Sequence, residues 1–447
     1  MNSKAAWVLM LGIVISLVIA PILTGCTKPT PTPKPVAKPT KAVEEPTEPP
    51  KEKVSLRFAM YADMAPPVSD LLDETISEWN KTHPDIQVAY EETPDYWIKI
   101  PAAVAAGTAP DILPCTNTET TSTFATHGMY LPLDDYIETS AVINAEDFVD
   151  GVWDTSAWRG TTWVIPYDFT LLGIVYNKAM FDAAGVAYPE SGWTWDDFLD
   201  TAKQLTEDKD GDGTLDQFGF LLDSWPYTGV FPFILANGVD LLAPDLSKVT
   251  YNTPKGLEAV QFYVDLVRKE HIAPTATELG EVPDALAAGI VAMKVDRSWA
   301  PWAVSQIAPD LNIGAVSLPQ NERRVNYFEG MGLGINAKSE HPDEAWQVIE
   351  FLCSKAHQKE MGEMQVVFPA RKDALAEVSW SEPLQAFLDE AENGVTLMIA
   401  MQWECLTSNW LFWMGDAISG LEDVDVAAGV ADIEAASNEE IGKLEYR

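Results

Sequence analysis

Val54-Ser-Leu-Arg-Phe-Ala-Met60 alternates apolar residues with others, a pattern typical of a β-strand. A helix is predicted directly after it, over residues 69–81, because packing side chains recur there every three or four positions. They are Leu71, Leu72, Thr75, Ile76 and Trp79. The pair then repeats, with a strand at 86–90, a helix at 97–106 and a short strand at 111–113. Strands that alternate with helices predict an α/β fold in which helices cover both faces of a sheet.

The alternation continues through the rest of the chain. Further strands are predicted at 162–166, 171–176, 291–295, 313–316 and 331–335, and further helices at 253–269 and 342–357. The stretch Tyr167-Asp-Phe-Thr170 separates the first two of these strands. The body from residue 54 to residue 447 is long enough for two lobes rather than one.

The first residues have the layout of a secretory signal, with Lys4 before an apolar run over residues 5–23. The run ends in Leu23-Thr-Gly-Cys26, which resembles a bacterial lipobox, where the signal is cut before a cysteine that carries lipid. We therefore interpret residues 1–25 as a lipoprotein signal peptide and Cys26 as the lipidation site. On this interpretation the protein is extracytoplasmic and anchored to the outer face of the cell membrane. An uncleaved membrane anchor is the alternative, because the run is nearly long enough to span a bilayer.

The segment that follows has the composition of a linker. Residues 27–53 contain eight prolines, six lysines and four glutamates, with almost no large apolar side chains. Such a segment cannot bury enough surface to fold, and its prolines keep it extended. Residues 26–53, the lipidated cysteine plus this linker, are therefore predicted to hold the folded body away from the lipid headgroups.

Charge and cysteine content exclude some classes of function. The formal net charge is −39, from 68 acidic and 29 basic side chains. An acidic surface of this kind disfavours nucleic acid and anionic lipid as partners. After Cys26 only Cys115, Cys353 and Cys405 follow, so at most one disulfide can form among them, and their spacing matches no metal cluster. We interpret all three as buried small hydrophobic residues.

The sequence lacks the motifs of common hydrolases and nucleotide-binding enzymes. It has no Gly-x-Ser-x-Gly elbow, His-Glu-x-x-His zinc helix, phosphate loop or dinucleotide-binding glycine pattern. The five histidines are scattered. We therefore predict that the protein is not an enzyme. Because 68 carboxylates guarantee chance pairs, a glycosidase dyad, and with it a secreted carbohydrate-active enzyme, stays open on sequence alone.

Tryptophan is abundant, with 16 in the chain, and several lie beside polar or turn-forming residues. The aromatic candidates are Trp225, Tyr227, Trp299, Trp403 and Trp410. The C–H face of a pyranose packs against an aromatic ring, while its hydroxyl groups bond to carboxylates, amides and guanidinium groups. These residues therefore indicate a sugar-binding site, and ordinary core packing is the alternative for each of them.

Short motifs spread over residues 105–371 carry a family resemblance. They are Ala105-Ala-Gly-Thr-Ala-Pro-Asp-Ile112, Gly128-Met-Tyr-Leu-Pro-Leu-Asp134, Ile165-Pro-Tyr-Asp168, Tyr176-Asn-Lys178, Phe181-Asp-Ala-Ala-Gly-Val186, Trp193-Thr-Trp-Asp-Asp-Phe198, Ala288-Gly-Ile-Val-Ala-Met293, Gly332-Leu-Gly-Ile-Asn336 and Phe368-Pro-Ala-Arg371. Together they resemble the extracellular solute-binding proteins of ABC importers, in the sugar-binding group that includes maltose-binding protein. The resemblance covers nearly all of residues 54–447.

This resemblance implies a periplasmic-binding-protein-like fold. Two α/β lobes, each a sheet flanked by helices, would hold a ligand in the cleft between them. The lobes expected are an N-terminal one over 54–167 and about 314–337, and a C-terminal one over 168–313 and about 338–447. The chain is expected to cross between them near Tyr167–Thr170 and to return near Ser317 and again near Asn336.

Candidate ligand-binding residues come from strand ends and from the resemblance. Ligands of open α/β sheets bind beyond the carboxyl ends of strands. The residues there are Tyr61, Asp63, Asn117, Thr118, Asp168 and Thr170. The resemblance places Tyr227, Trp299 and Trp410 at or near positions that stack sugars, and Asp63, Thr118 and Thr170 near polar contacts. Arg297 and Glu329 complete the predicted hydroxyl partners.

Two positions depart from maltose-binding protein. Cys115 occupies an aromatic ligand position, and Arg297 comes two residues before the stacking Trp299. A buried arginine could favour an acidic sugar or a sugar phosphate. Alternatively, Arg297 forms a salt bridge to Asp296 or to another carboxylate.

An aspartate-rich loop echoes the calcium loop of an EF-hand. Asp208, Asp210, Asp212 and Asp216 provide oxygen atoms at loop positions one, three, five and nine. Position twelve, normally a bidentate glutamate, is Gly219. Structural calcium and a plain aspartate-rich turn are both open, and no cofactor is predicted to be required.

The sequence therefore predicts a membrane-tethered, extracytoplasmic binding protein. It would capture a sugar or oligosaccharide by hinge closure, act as a monomer and deliver its ligand to the permease subunits of an ABC transporter. A binding protein for a non-sugar solute, such as a peptide, a polyamine or a glycerol phosphate ester, is the alternative.

Overall fold

The computed structural model describes residues 53–443 apart from residues 63, 117–119, 396–402 and 420–423. Cys26, the predicted signal peptide and nearly all of the linker lie outside these residues. Within the described part of the chain, no helix combines the length and the apolar character needed to cross a membrane.

The described strands and helices are numbered here in chain order. The strands are β1 Val54–Tyr61, β2 Ile86–Thr93, β3 Ile112–Thr116, β4 Ala157–Trp158, β5 Thr161–Thr162, β6 Ile165–Pro166, β7 Asp168–Phe169, β8 Leu172–Asn177, β9 Phe218–Leu221, β10 Val291–Arg297, β11 Ile313–Val316, β12 Asn326–Tyr327, β13 Met331–Ile335, β14 Phe368–Pro369 and β15 Gly394–Val395. The α-helices are α1 Pro66–Thr82, α2 Tyr96–Ala106, α3 Thr121–Thr126, α4 Asp134–Thr139, α5 Asp150–Asp154, α6 Lys178–Ala184, α7 Trp195–Gln204, α8 Val230–Ala236, α9 Pro254–Arg268, α10 Ala276–Leu279, α11 Ala300–Ile307, α12 Pro342–Leu352, α13 Lys355–Glu363, α14 Lys372–Leu375, α15 Glu382–Leu388, α16 Trp403–Ser419 and α17 Val426–Lys443. Short 3-10 helices cover Ala145–Asp147 and Ala391–Asn393.

The first sheet has the strand order β2-β1-β3-β13-β6 and forms the first lobe. Strand β1 runs parallel to β2 and β3, whereas β13 runs antiparallel to β3 and β6. Because side chains alternate along a strand, Phe58 and Ala59 enter cores on opposite faces. Helix α1 covers the face of Phe58 and α2 covers the face of Ala59. The predicted stripe on α1 is confirmed, since all five of its side chains are buried.

The second sheet has the strand order β11-β8-β10-β9 and forms the second lobe. Strand β10 runs parallel to β9 and antiparallel to β8, and β11 also runs antiparallel to β8. One face packs against α7, α8 and α9, and the other packs against α15. At Gly173 in β8 a side chain would lie 2.7 Å from the ring of Phe387 in α15, so only glycine fits this close approach.

Short paired segments link the two lobes. Strand β7 pairs antiparallel with β14, and Thr170 forms a bridge with Glu329. The Oδ1 atom of Asp168 accepts a hydrogen bond of 2.8 Å from the backbone N–H of Met331. A side chain at Gly330 would lie 2.2 Å from the carbonyl oxygen of Asp168. The crossing segments are therefore in close backbone contact. The first of them lies between β6 and β8, and the sequence predicted a crossing near 167–170.

The later boundaries between the lobes differ from the expected ones. Residues 314–337 were expected to belong to the first lobe as a whole. In the structure β11 belongs to the second sheet and β13 to the first, so this segment is shared between the two lobes. Ser317 remains in the second lobe, where its Oγ accepts a hydrogen bond from the N–H of Gly192. Asn336 remains in the first lobe, where its N–H donates to the carbonyl of Asp111. The chain returns at about 328–330.

The segment after residue 337 also divides between the lobes. Helices α12 and α13 pack on the first lobe, as shown by the Trp79–Phe351 ring contact at 5.2 Å. Helices α16 and α17 pack on the second lobe, where Arg268 donates to the carbonyl of Ala417. The single helix predicted over 342–357 was wrong, because α12 ends at Leu352 and Ser354 adopts an extended backbone as the N-cap of α13. Hydrophobic spacing identifies the apolar face of a helix but not the sheet that covers it.

Candidate functional site

A cavity of about 550 Å³ lies between the two lobes, at the carboxyl ends of β1, β3 and β10. This volume falls in the range of about 300–1,000 Å³ that is common for small-ligand sites. The position agrees with the expectation that ligands bind beyond the carboxyl ends of strands. A second cavity of about 490 Å³ is lined by residues within 238–255 of the second lobe, none of them aromatic. The first cavity is therefore the candidate site.

Six of the predicted ligand-binding residues line this cavity. They are Tyr61, Asp168, Thr170, Arg297, Trp299 and Glu329. Tyr61 ends β1 in the first lobe and Arg297 ends β10 in the second, whereas Asp168 and Glu329 lie on the crossing segments. The topology thus brings together residues from four distant parts of the chain. Their contact with a ligand stays a prediction.

Four predicted residues cannot be positioned at the site. Asp63, Asn117 and Thr118 lie outside the described residues, although their chain neighbours Met64 and Thr116 line the cavity. Trp403 begins α16, but its side chain is outside the described part of the structure.

Three predicted aromatic contacts lie away from the cavity lining. Trp410 is fully buried in the core of the second lobe, with ring centroids 5.9 Å from Phe231 and 5.2 Å from Tyr251. Tyr227 is also fully buried, and Trp225 is half-buried against the same core. Packing explains the burial of Tyr227 and Trp410 in this structure, and ligand contact by these three residues stays a prediction that the cavity lining does not support.

Trp299 and Trp302 provide the aromatic surface of the second lobe. Trp299 is the residue before α11, and Trp302 follows three positions later, so both reach the same side of the helix start. From the first lobe, Tyr61 lines the cavity and packs against Trp97 with ring centroids 5.4 Å apart. The sequence interpretation missed Trp302. The three-residue spacing from Trp299 was the signal that could have revealed it.

Arg297 and Glu329 form a two-contact ion pair in the cavity wall. The Nε of Arg297 donates to Oε2 of Glu329, and Nη2 donates to Oε1 at 3.2 Å. The two side chains are 20% and 18% exposed. Burial acts to lower the pKa of Arg297, but the Glu329 carboxylate outweighs it and raises that pKa. The sequence left open whether Arg297 favours an acidic ligand or forms a salt bridge to a carboxylate of the protein. The structure shows a salt bridge, and its partner is Glu329. Asp296 pairs with Lys294 at 2.8 Å.

The ring of Tyr227 supports the guanidinium group from behind. The Cζ atom of Arg297 lies 5.6 Å from the centroid of this ring, in the range of a cation–π contact. Tyr227 packs in turn edge-on against Tyr327, with centroids 4.2 Å apart. In this structure Tyr227 therefore orients Arg297.

Asp168 is a buried carboxyl group at the base of the cavity. Its side chain is 5% exposed, and Met331 provides its one hydrogen bond among the described contacts. Burial raises the pKa of Asp168 from the ordinary 3.8 to about 7, with a further increase from Glu329, while the Met331 hydrogen bond acts in the opposite direction. A ligand hydroxyl that donates to Asp168 would replace the water that burial has removed.

The cysteines agree with the sequence interpretation as far as they are described. Cys115 and Cys353 are fully buried free thiols, and burial raises the pKa of both. The side chain of Cys405 is outside the described residues.

The aspartate-rich loop is exposed and lies outside the cavity. Carboxylate oxygens of Asp208, Asp210 and Asp216 lie within 4.8 Å of one another, and Asp212 does not join this group. Asp208 accepts two backbone hydrogen bonds from inside the loop, as an aspartate-rich turn would. Position twelve, Gly219, is buried in β9 and offers no carboxylate.

Calcium binding and a plain aspartate-rich turn both stay open for this loop. If calcium binds, calcium at about 100 times its Kd adds about 2.7 kcal/mol to the free energy of unfolding, and EGTA should then lower the melting temperature of the purified chain. An Asp208→Asn, Asp210→Asn variant should lose this response. An unchanged melting temperature on adding EGTA would contradict calcium binding.

Residues 62–359 match the model of the bacterial extracellular solute-binding protein family. The chain belongs to this family. Membership confirms the resemblance found in the sequence and the extracytoplasmic location. It also confirms that the chain is a binding protein rather than an enzyme.

Solved structures share the fold of this solute-binding protein. An ABC substrate-binding protein from Listeria monocytogenes in complex with cycloalternan has a TM-score of 0.77 and 22% identity, over 88% of this chain and 100% of that one. An ABC transporter solute-binding protein from Thermotoga lettingae bound with α-D-tagatose has a TM-score of 0.75 and 21% identity, over 87% and 100%. The arabinooligosaccharide-binding protein of Halalkalibacterium halodurans is 27% identical over 212 residues, 46% of this chain and 44% of that one. The two structural likenesses confirm the two-lobed α/β fold.

Proposed function

We propose that this solute-binding protein captures a sugar or oligosaccharide in the cavity between its lobes and delivers it to an ABC permease. The observation that supports the proposal is that one cavity is lined both by aromatic rings and by polar side chains able to hydrogen-bond to hydroxyl groups. Trp299 and Trp302 offer aromatic faces, while Asp168 and Arg297 offer an acceptor and donors. The sugars bound by related proteins from Listeria monocytogenes and Thermotoga lettingae support the same ligand class.

Hinge closure is the proposed mechanism of capture. Tyr61 lines the cavity from the first lobe and Trp299 lines it from the second, so a ligand that touches both favours the closed arrangement. The crossing segments at Asp168 and Glu329 form the floor of the same cavity. The permease would then recognise the closed face of a monomer.

The amino-terminal segment supports a proposal of membrane tethering. Cys26 ends a lipobox-like motif, and the proline-rich linker of residues 27–53 follows it. Lipid on Cys26 would hold the protein at the outer face of the membrane. At about 3.1 Å per residue, the extended linker could span on the order of 80 Å and let the lobes reach the permease.

A ligand screen tests the proposed function directly. The melting temperature of the purified chain is measured with neutral and acidic oligosaccharides, amino acids, peptides, polyamines and glycerol phosphate esters. A ligand at about 100 times its Kd adds about 2.7 kcal/mol to the free energy of unfolding. A higher melting temperature with a sugar supports the proposal. A higher melting temperature only with polyamines, peptides or phosphate esters would favour the non-sugar binding protein instead.

Replacing Trp299 with alanine should weaken sugar binding. The loss of ring area from the cavity is worth about 1–3 kcal/mol, which corresponds to roughly 5- to 150-fold in Kd by calorimetry. Trp153 is a matched control, because it is half-buried against Phe148 and does not line the cavity. Trp153→Ala should leave Kd unchanged. Equal Kd values for the Trp299 variant and the parent would remove Trp299 from the site.

A further inference from the structure

The charge of the cavity wall is fixed by one ion pair. Among the described lining residues, Arg297 is the cation, and Asp168 and Glu329 are the acids. Glu329 holds Arg297 through both of its carboxylate oxygens. The guanidinium is thus neutralised before any ligand enters, and Asp168 adds a second acidic group beside it.

We propose that Glu329 determines ligand charge, so that the cavity selects uncharged sugars and rejects uronates and sugar phosphates. This inference rests on the proposed function and narrows it. Glu329 acts here as a positioning residue, because it holds the guanidinium as a hydrogen-bond donor to hydroxyl groups and prevents it from acting as an anion receptor.

An anionic ligand would face competition at Arg297. A carboxylate or phosphate gains most from arginine when it accepts two parallel N–H bonds, and the edge of Arg297 formed by Nε and Nη2 is already taken by Glu329. To bind at that edge, the anion would have to displace a carboxylate that is only 18% exposed. At the remaining Nη1–Nη2 edge it would meet a guanidinium whose charge Glu329 already neutralises. It would also share the cavity with Asp168, and like charges in a desolvated site repel each other whenever that carboxyl group is ionised.

A neutral sugar avoids this competition. A guanidinium group carries five N–H donors, and the pair with Glu329 uses one at Nε and one at Nη2. The remaining donors can serve hydroxyl oxygens, while Asp168 accepts from hydroxyl hydrogens. Tyr227 supports the guanidinium from behind, so its orientation does not depend on a ligand anion.

The test compares neutral and acidic sugars on the full chain. Calorimetry is run with neutral trisaccharides of glucose, galactose, mannose, xylose and arabinose, with galacturonate and glucuronate trisaccharides, and with glucose 6-phosphate. We expect a neutral member to bind and every anionic member to bind at least about 100-fold more weakly. The Kd of the neutral ligand should change little between low and high salt, since no net charge is neutralised.

The variant Glu329→Gln keeps the shape of the side chain and frees the charge of Arg297. It should weaken binding of the neutral sugar and strengthen binding of an acidic one by at least about 10-fold. Glu390→Gln is the matched control, because Glu390 forms a similar two-contact pair with Arg324 outside the cavity lining. It should leave the ratio of the two Kd values unchanged.

The outcomes separate this inference from the proposed function. Binding of a uronate or sugar phosphate by the parent chain as tightly as a neutral sugar overturns the charge selection and leaves the sugar-binding function standing. An unchanged Kd ratio in a folded Glu329→Gln variant overturns the role of Glu329. If that variant does not fold, the comparison on the parent chain and its salt dependence decide the question. Absence of binding by both sugar classes overturns the proposed function, and the inference with it.

Discussion

Replacing Arg297 with methionine should lower the free energy of unfolding by about 3–5 kcal/mol. The substitution leaves Glu329 about one-fifth exposed and without its two guanidinium donors. Removing one partner of a buried pair costs more than the pair contributes, because an uncompensated charge stays behind. Methionine fills a similar volume, so loss of packing against Tyr227 is a smaller part of the effect. Urea denaturation at pH 7 measures the change.

A double variant isolates the charge effect in this prediction. Arg297→Met combined with Glu329→Met removes both charges, and its stability should return to within about 1 kcal/mol of the parent. Glu329→Met alone should be destabilising, because it leaves the arginine charged in the cavity wall. If the double variant instead loses as much stability as the two single variants together, packing rather than the ion pair stabilises the cavity wall.

Much of each lobe could be predicted from local pattern. The strand at β1 and the helix at α1 follow from alternating and three-to-four spacing, and both were predicted to within a few residues. The division of the chain after residue 313 could not be predicted in this way. Residues 313–316 and 331–335 have the same strand-like composition, yet they join different sheets. Strand partners depend on contacts far apart in sequence, which local spacing does not encode.

Site residues that directly follow a strand could be predicted from the sequence, because the strand places them at the edge of the sheet. Tyr61 directly follows the strand predicted at 54–60, so the strand-end rule places it at the edge of the sheet where the cavity lies. Trp410 lies in a helix beside polar residues, and nothing in its neighbours reveals that its side chain turns into the core. The partner of Arg297 was equally hidden, because Glu329 is 32 residues away and meets it only through the crossing segments.

The pH dependence of stability should reveal two buried groups near the first crossing. Burial lowers the pKa of His357 from 6.5 to about 4, and its Nε2 lies 2.7 Å from Oη of Tyr167. The unfolded chain binds this proton more tightly than the folded one, so His357 makes stability increase with pH between about 4 and 6.5. Asp168 acts in the opposite direction, because its raised pKa means that the folded chain holds the proton more tightly between 3.8 and about 7. The two effects should nearly cancel in the parent protein below pH 6.5.

Replacing Asp168 with asparagine should therefore expose the contribution of His357. The asparagine oxygen can still accept the Met331 hydrogen bond, but the charge that is costly to bury above pH 7 is gone. At about 1.36 kcal/mol for each pKa unit, the variant should exceed the parent by up to about 4 kcal/mol at pH 8 and by almost nothing at pH 4. Urea denaturation at intervals from pH 4 to pH 8 gives the two profiles, and a His357→Gln variant checks the opposing slope. Parallel profiles for the parent and the Asp168→Asn variant would show that the carboxyl group has no raised pKa, and that Asp168 enters the cavity as an ordinary ionised acceptor.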